Sequence, residues 1–450
     1  MQPQPGIAWI LIALITSFIA LGVWIGGDEA QGTEIEPAAA ELVEEAPKTD
    51  VEQEIQAKVL LGQITLMPSD TPLEPLLENT DAMQRLRGIV MLSVLDRERA
   101  TLMAKALRME LDAAAPNAEL VHSVLQILQG DDTAEDGNRA KAELGPFAPI
   151  LWSACVDQDA LRALQERAVR AVMMIVAGLL VVGVSALVGL VLCIIALVRV
   201  RAGTMRSALT ERSVQHGLYA ETFVAWLIVF NLLSIVAAEG ARALACSPFS
   251  LLAVAFPLSL VALAWPSWRG SSLSRTRQDI GLHCGKGLVR ELAAGVVGWM
   301  CMLPIQGIGL LITLMFMSMA GVVEGDADAP SHPIVEVLGD PAAIALSLIV
   351  AVVMAPLVEE TVFRGLLYRQ LRSVGKLGRG AVSCVSSAFI TGFVFAAVHP
   401  QGWMGVPALM GIAIAIALAR EWRGSLIAPM VMHGINNGLA MTALLVLLYA

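Results

Sequence analysis

The sequence has no Cys-x-x-Cys pair and no His-Glu-x-x-His run. Its six cysteines (Cys155, Cys193, Cys246, Cys284, Cys301 and Cys384) are scattered, most of them in apolar stretches, which argues against a disulfide framework and against a thiolate metal site. Without His-Glu-x-x-His, the short spacing that would argue zinc by itself is missing. Charge is scarce too. Asp, Glu, Lys and Arg make up 16% of the 450 residues, hydrophobic types make up 56%, and the mean hydropathy is +0.69. Such a chain is too apolar for an ordinary soluble protein and long enough for several domains, so a membrane protein is expected.

The charge that is present is unevenly spread. Residues 28–167 hold 27 acidic and 12 basic side chains, a net of −15, which leaves 18 basic and 13 acidic, a net of +5, for the rest of the chain. The overall −10 therefore belongs to one segment, and the membrane part is mildly basic. No nucleic-acid partner is expected.

Residues 7–27, IAWILIALITSFIALGVWIGG, form an uncharged apolar run long enough to span about 30 Å of hydrocarbon as a helix. No Lys or Arg precedes it and no clear small-x-small site follows, so a signal anchor is expected ahead of a cleaved signal peptide; either way the next segment is exported. Residues 28–50, rich in Glu, Ala and Pro, read as a solvated linker. From about 51 to 167 apolar residues recur at helical spacing, as in DAMQRLRGIVMLSVLDRERATLMAKALRMEL, which predicts a small helical bundle. That segment has no catalytic cluster, and its one histidine, His122, takes a surface or packing role.

Membrane helices are expected at about 171–198, 222–238, 249–265, 292–323, 342–372, 382–398, 403–419 and 424–446. The stretch 292–323 contains Pro304 and several glycines, so a kink or a break is expected there, and a break would invert everything after it. If every helix spans, four basic loops fall on one side: Arg199 to Arg212, Arg269 to Arg290, Arg369 to Arg379, and Arg420 with Arg423. That side is the cytoplasm, which puts 28–167 and the acidic loop 324–340 outside. The fold class is all-α: a polytopic membrane protein with about eight or nine transmembrane helices and an exported small helical domain. Its parts are 1–27 (anchor), 28–167 (acidic exported segment), 168–279 (membrane helices) and 280–450, which carries the chemistry.

Ionisable groups within membrane helices cost about 2.5 to 3.5 kcal/mol each at the centre, so each asks for a partner or a function. The last third of the chain concentrates them. In APLVEETVFRGLLYRQLR, Glu360 and Arg364 stand at i and i+4 and can pair, while Glu359 points about 100° away and needs a partner from another helix. FVFAAVHP puts Phe395 and His399 four apart, and MHGINNGLA does the same for His433 and Asn437. A carboxylate, two imidazoles and a carboxamide suffice for a hydrolytic site: Glu as general base, His to hold or protonate water or to ligate a metal, Asn to donate to an oxyanion. Depth is the difficulty. Glu359 lies about 20 Å above Arg372 and His433 about 14 Å above Gly424, but His399 lies about 28 Å above Gly380.

In this order on successive helices, E-E-x-x-x-R (Glu359, Glu360, Arg364), F-x-x-x-H (Phe395, His399) and H-x-x-x-N (His433, Asn437) resemble the CPBP family of intramembrane proteases. That family includes the type II CAAX prenyl endopeptidases and the bacterial Abi or bacteriocin-processing proteins. The resemblance covers about 342–446, more loosely from about 280, and does not extend to 1–167. It implies a cavity opening within the membrane and an endopeptidase that hydrolyses a peptide bond in a membrane-associated, CAAX-like prenylated, protein or peptide. By the same resemblance Glu359 with His399 would activate water, His433 with Asn437 would stabilise the oxyanion, and Glu360 with Arg364 would hold Glu359 in place. Zinc or another divalent metal on Glu359, His399 and His433 stands beside a metal-free Glu/His mechanism, and both stay open.

Two other classes fit part of the pattern. One is a non-catalytic scaffold or immunity protein of the same fold, with 28–167 binding an extracytoplasmic partner. The other is an ion-coupled transporter, against which the lack of a second Glu-Glu segment counts. The expected setting is a bacterial inner membrane, with the lipid bilayer and a membrane-associated substrate as partners.

Overall fold

A computed structural model describes residues 51–112, 115, 117–209, 217–244, 248–319, 341–373, 380–399 and 402–449. The apolar run 7–27, the linker 28–50, the acidic loop 324–340, His216, His332, Arg212, Lys376 and Arg379 lie outside the described residues. Among the described residues every regular element is helical and none is a strand. They fall into two compact units, 51–181 with 441–449, and 182–440.

The first unit begins with α1 (Val51–Leu66), α2 (Ala82–Leu95), α3 (Arg97–Glu110), α4 (Ala118–Gln129), α5 (Ala134–Glu143) and α6 (Ala148–Cys155). Their starts are written in the sequence. Asp81 accepts from the amides of Met83 and Gln84 to open α2, Asp96 accepts from Arg99 to open α3, and Thr133 with Asp136 closes a capping box on α5. The apolar stripes meet in one core that includes Leu86, Ile89, Val90, Leu120, Val121, Val124, Phe147 and Leu151. This is the helical bundle expected from periodicity.

The longest helix, α7 (Gln158–Arg201), runs without interruption from charged sequence into apolar sequence. The division expected at 167/168 therefore marks no end of an element, and the helix starts well before residue 171. The remaining helices are α8 (Leu218–Leu244), α9 (Ser250–Trp268), α10 (Leu273–Ile280), α11 (Leu288–Met319), α12 (Ala342–Ser373), α13 (Gly380–Ala397), α14 (Gly402–Arg423) and α15 (Ile427–Tyr449). Seven of these, α7, α8, α9, α11, α12, α14 and α15, are long and apolar enough to cross a membrane, and Val382–Ala397 in α13 is a shorter apolar run. The chain is an all-α polytopic membrane protein.

The second unit decides between two readings of the 292–323 stretch and bears out the grouping of the basic loops. Through Pro304, α11 stays a single 32-residue helix, so the break that would have inverted the later topology is not made. The four basic loops do converge on one end of the bundle. Ala208 donates its amide to Glu421 O at 2.9 Å, Leu426 does so to Gly281 O at 2.9 Å, Arg372 pairs with Glu421 at 2.7 Å, and Arg423 pairs with Glu291 at 2.6 Å. Several arginines that read as topology signals are thus buried structural partners; Arg420 is fully buried and donates to Asp279 O. Close helix approach is bought with small residues, as at Gly309, where a Cβ would lie 2.2 Å from Pro407 O.

Candidate active site

Four of the helices position the candidate groups. On α12 the helical register changes twice: Val350–Met354 and Glu360–Leu367 are π-helical, with α-helix at Ala355–Glu359 between them. Glu359 is therefore the last residue before the second wide turn. Pro356 stands just ahead of it, and π-bulges often mark functional sites.

Glu360 and Arg364 pair as their spacing predicts, Arg364 Nη1 to Glu360 Oε1 at 3.1 Å, with both side chains wholly buried. Arg364 also donates to Ala413 O on α14 at 3.1 Å and lies 4.7 Å from the centre of the Phe395 ring. The sequence did not disclose a second partner of Glu360: His433 Nδ1 on α15, at 2.8 Å from the same Oε1. With a carboxylate as acceptor, Nδ1 is the protonated nitrogen and Nε2 is directed elsewhere.

It is directed at Glu359. His433 Nε2 lies 3.8 Å from Glu359 Oε2, and His399 Nε2 lies 3.8 Å from the same oxygen. The remaining ring nitrogen of His399, Nδ1, is 2.6 Å from Phe395 O, to which it donates. The two imidazoles thus present their Nε2 atoms to one carboxylate oxygen, which is buried and has no hydrogen-bond partner among the described residues. Exposure separates the groups: the Glu359 and His399 side chains keep 15% and 21%, whereas Glu360 and Arg364 keep none. A molecule entering this site meets Glu359 and His399 first.

The depth difficulty over His399 disappears for two reasons. Arg372 Nη1 donates to Ser383 Oγ at 2.6 Å, so Gly380 lies beyond the level of Arg372 and is the wrong origin for the count. In addition α13 stops at Ala397, and the His399 ring folds back over Phe395, with 4.2 Å between ring centres. Behind these groups Phe363 packs against Phe395 at 5.1 Å, Phe223 at 5.6 Å and Trp226 at 6.0 Å. The sequence reading passed over this wall, although Phe223, Trp226 and Phe230 recur at helical spacing on α8.

Asn437, one turn after His433, gives its Nδ2 to Ala351 O in the first π segment at 2.9 Å. Between them, at Gly434, a Cβ would lie 2.7 Å from Val352 O, so only glycine lets α15 come this close. His283 stands apart from the site in its own loop, where Nδ1 accepts from the Gly285 amide. Asn231 donates to Leu227 O on its own helix, and Glu239 pairs with Arg242 on the surface, in keeping with packing and interface roles.

Carboxylate and imidazoles are the donor types zinc takes. Two ligands at about 2.0 to 2.1 Å from a tetrahedral zinc lie about 3.3 Å apart. Here both nitrogens are 3.8 Å from the oxygen, and among the described residues no group of three or more His, Cys, Asp or Glu side chains is placed to hold a metal ion. The same 3.8 Å exceeds a direct hydrogen bond and is a separation that one water can bridge, bonded to oxygen and nitrogen at once.

Comparison with known proteins gives a family match across these helices. Residues 341–439 match the family model described as type II CAAX prenyl endopeptidase Rce1-like. A curated relative, the membrane-embedded CAAX protease MroQ of Staphylococcus aureus (strain USA300), is 28% identical over 86 residues, which is 19% of this chain and 34% of that protein. The match thus spans about a third of the relative's length. No solved structure matches the chain.

Proposed function

With an Rce1-like domain at residues 341–439 as the premise, we propose that this protein is an intramembrane endopeptidase that hydrolyses a peptide bond in a membrane-associated protein or peptide. One observation carries the reading: Glu359 Oε2 faces two imidazole Nε2 atoms at 3.8 Å each, in the least enclosed part of an otherwise sealed polar cluster.

Water held between Glu359 and His399 loses a proton to Glu359 as it attacks the scissile carbonyl. His399, fixed by its bond to Phe395 O, keeps the attacking oxygen aligned. Charge then develops on the carbonyl oxygen. His433, as an imidazolium anchored through Nδ1 to Glu360, offers Nε2–H to that oxygen. Arg364 offsets the charge of Glu360 in that anchor. Glu359 returns its proton to the leaving amine. The derivation uses no metal.

The substrate is proposed to be a peptide carrying an apolar anchor, a CAAX-like prenylated terminus among them. The setting is proposed to be a bacterial inner membrane, and the convergence of the four basic loops on one end supports placing that end in the cytoplasm, with 28–167 outside. Purified protein in liposomes is expected to cleave a prenylated CAAX peptide or an unmodified apolar peptide. Glu359→Ala should lower kcat by about 100-fold or more, with the melting temperature preserved. Undiminished turnover in that variant would remove Glu359 as the base.

A further inference from the structure

In the first π segment the amide of Ala355 reaches five residues back to Val350 O. The next amide in that register would belong to residue 356 and would serve Ala351 O. Residue 356 is proline and has no N–H, and the α-register donor for Ala351 O, the Ala355 amide, is already given to Val350 O. Within a membrane span a carbonyl deprived of its donor has no water to turn to. Asn437 Nδ2 fills that place, 2.9 Å from Ala351 O.

The same face of α15 holds α12 on the other side of Pro356 as well. His433 binds Glu360 at 2.8 Å, and Gly434 lets the two backbones approach at Val352 O. Glu359 lies between the two attachment points, Ala351 and Glu360. We propose that Asn437 is a positioning residue that stands in for the missing amide of Pro356 and so fixes the segment bearing Glu359. This rests on the reading of Glu359 as the catalytic base. Asn437 acts through the α12 backbone, and its absence lets the segment that carries the carboxylates shift.

The dependence is on Pro356, and that makes it testable. With alanine at 356, Ala351 O regains a backbone donor in either register, from residue 356 if the π turn stays or from Ala355 if the helix reverts to α. Asn437→Ala should then matter much less. The experiment is a double-variant cycle on the full-length protein in detergent, with wild type, Asn437→Ala, Pro356→Ala and the pair, read by melting temperature and by kcat and KM on a prenylated CAAX peptide. The expected result is a drop of about 4 to 8 °C for Asn437→Ala in the wild-type background and less than half of that in the Pro356→Ala background. Asn437→Ala should also lose about ten-fold or more in kcat with KM unchanged, and the pair should regain most of that loss, whereas Pro356→Ala should not rescue His433→Ala. Additive melting shifts would overturn the proposal, as would an active Pro356→Ala variant that fails to rescue turnover. If Pro356→Ala is itself inactive, the melting cycle decides alone. Because melting needs no turnover, a protein that cleaves nothing fails the functional reading without touching this one.

Discussion

In the helical unit, helix starts are capped by neighbours in sequence, Asp81 by amides two and three residues on and Thr133 and Asp136 by each other, while Arg97 reaches Leu128 O across 31 residues. Around the candidate site the partners are distant in sequence. Arg364 reaches Ala413 across 49 residues, His433 reaches Glu360 across 73, and Asn437 reaches Ala351 across 86. The core of the helical unit is built mainly from Leu, Ile, Val and Ala. Inside a bilayer a polar group has to be met by another helix, so its partners fix helix rotation and depth together. The same side chains that cost most to bury are the ones that lock the site.

That contrast predicts a steep gradient of mutational cost. The largest effect on stability belongs to the buried pair. Glu360→Ala strands Arg364 as an unpaired buried charge and frees His433, and should cost about 3 to 5 kcal/mol, seen as a large fall in melting temperature. Replacing both partners, Glu360→Leu with Arg364→Met, should restore much of the stability but no cleavage; a single Glu360→Ala that melts like wild type would break the comparison.

Next comes Gly434→Ala, whose methyl would meet Val352 O at 2.7 Å; a loss of about 1 to 3 kcal/mol is expected, with reduced turnover. In the helical unit the effects are smaller and depend on pH. Hydrogen bonds from the Thr133 hydroxyl and amide hold the Asp136 carboxyl down to about 2 from an ordinary 3.8. The folded value lies below the unfolded one, so the stabilisation is complete above about pH 4 to 5 and is lost as pH falls towards 2. Thr133→Ala should cost about 1 kcal/mol at neutral pH and less at pH 2, measured by amide exchange along α5. Smallest is the exposed Arg85–Glu110 pair at 2.7 Å, where Arg85→Ala should move stability by no more than about 0.5 kcal/mol. A loss comparable to that of Glu360→Ala would show that surface and membrane ion pairs do not differ as argued.

The all-α membrane fold was legible because about 20 apolar residues in a row leave few alternatives to a spanning helix. The Glu360–Arg364 pair was legible because one turn of helix brings i and i+4 together whatever surrounds them. Neither the second partner of Glu360 nor the approach of His399 could be counted out from rise per residue. Both depend on where α13 stops and on how α12 and α13 are offset, which Arg372 and Ser383 set between them. The unbroken passage of α11 through Pro304 was likewise undecided by sequence, since a proline in a long helix permits a kink or a break and the packing of neighbours chooses.

By itself the sequence determined which residue types were available for chemistry and the order in which helices present them, because periodicity and the exclusion of charge from lipid are local rules. It also separated the Glu-Glu pair, since Glu360 alone has Arg364 one turn on, but only the tertiary structure decided which groups from other helices each carboxylate meets. Glu360 is sealed between Arg364 and His433, and Glu359 is left facing two imidazoles with a water's width between them. The physical reason is that neighbours on one helix point different ways, and the imidazoles they meet come from other helices, His433 standing 73 residues from Glu360.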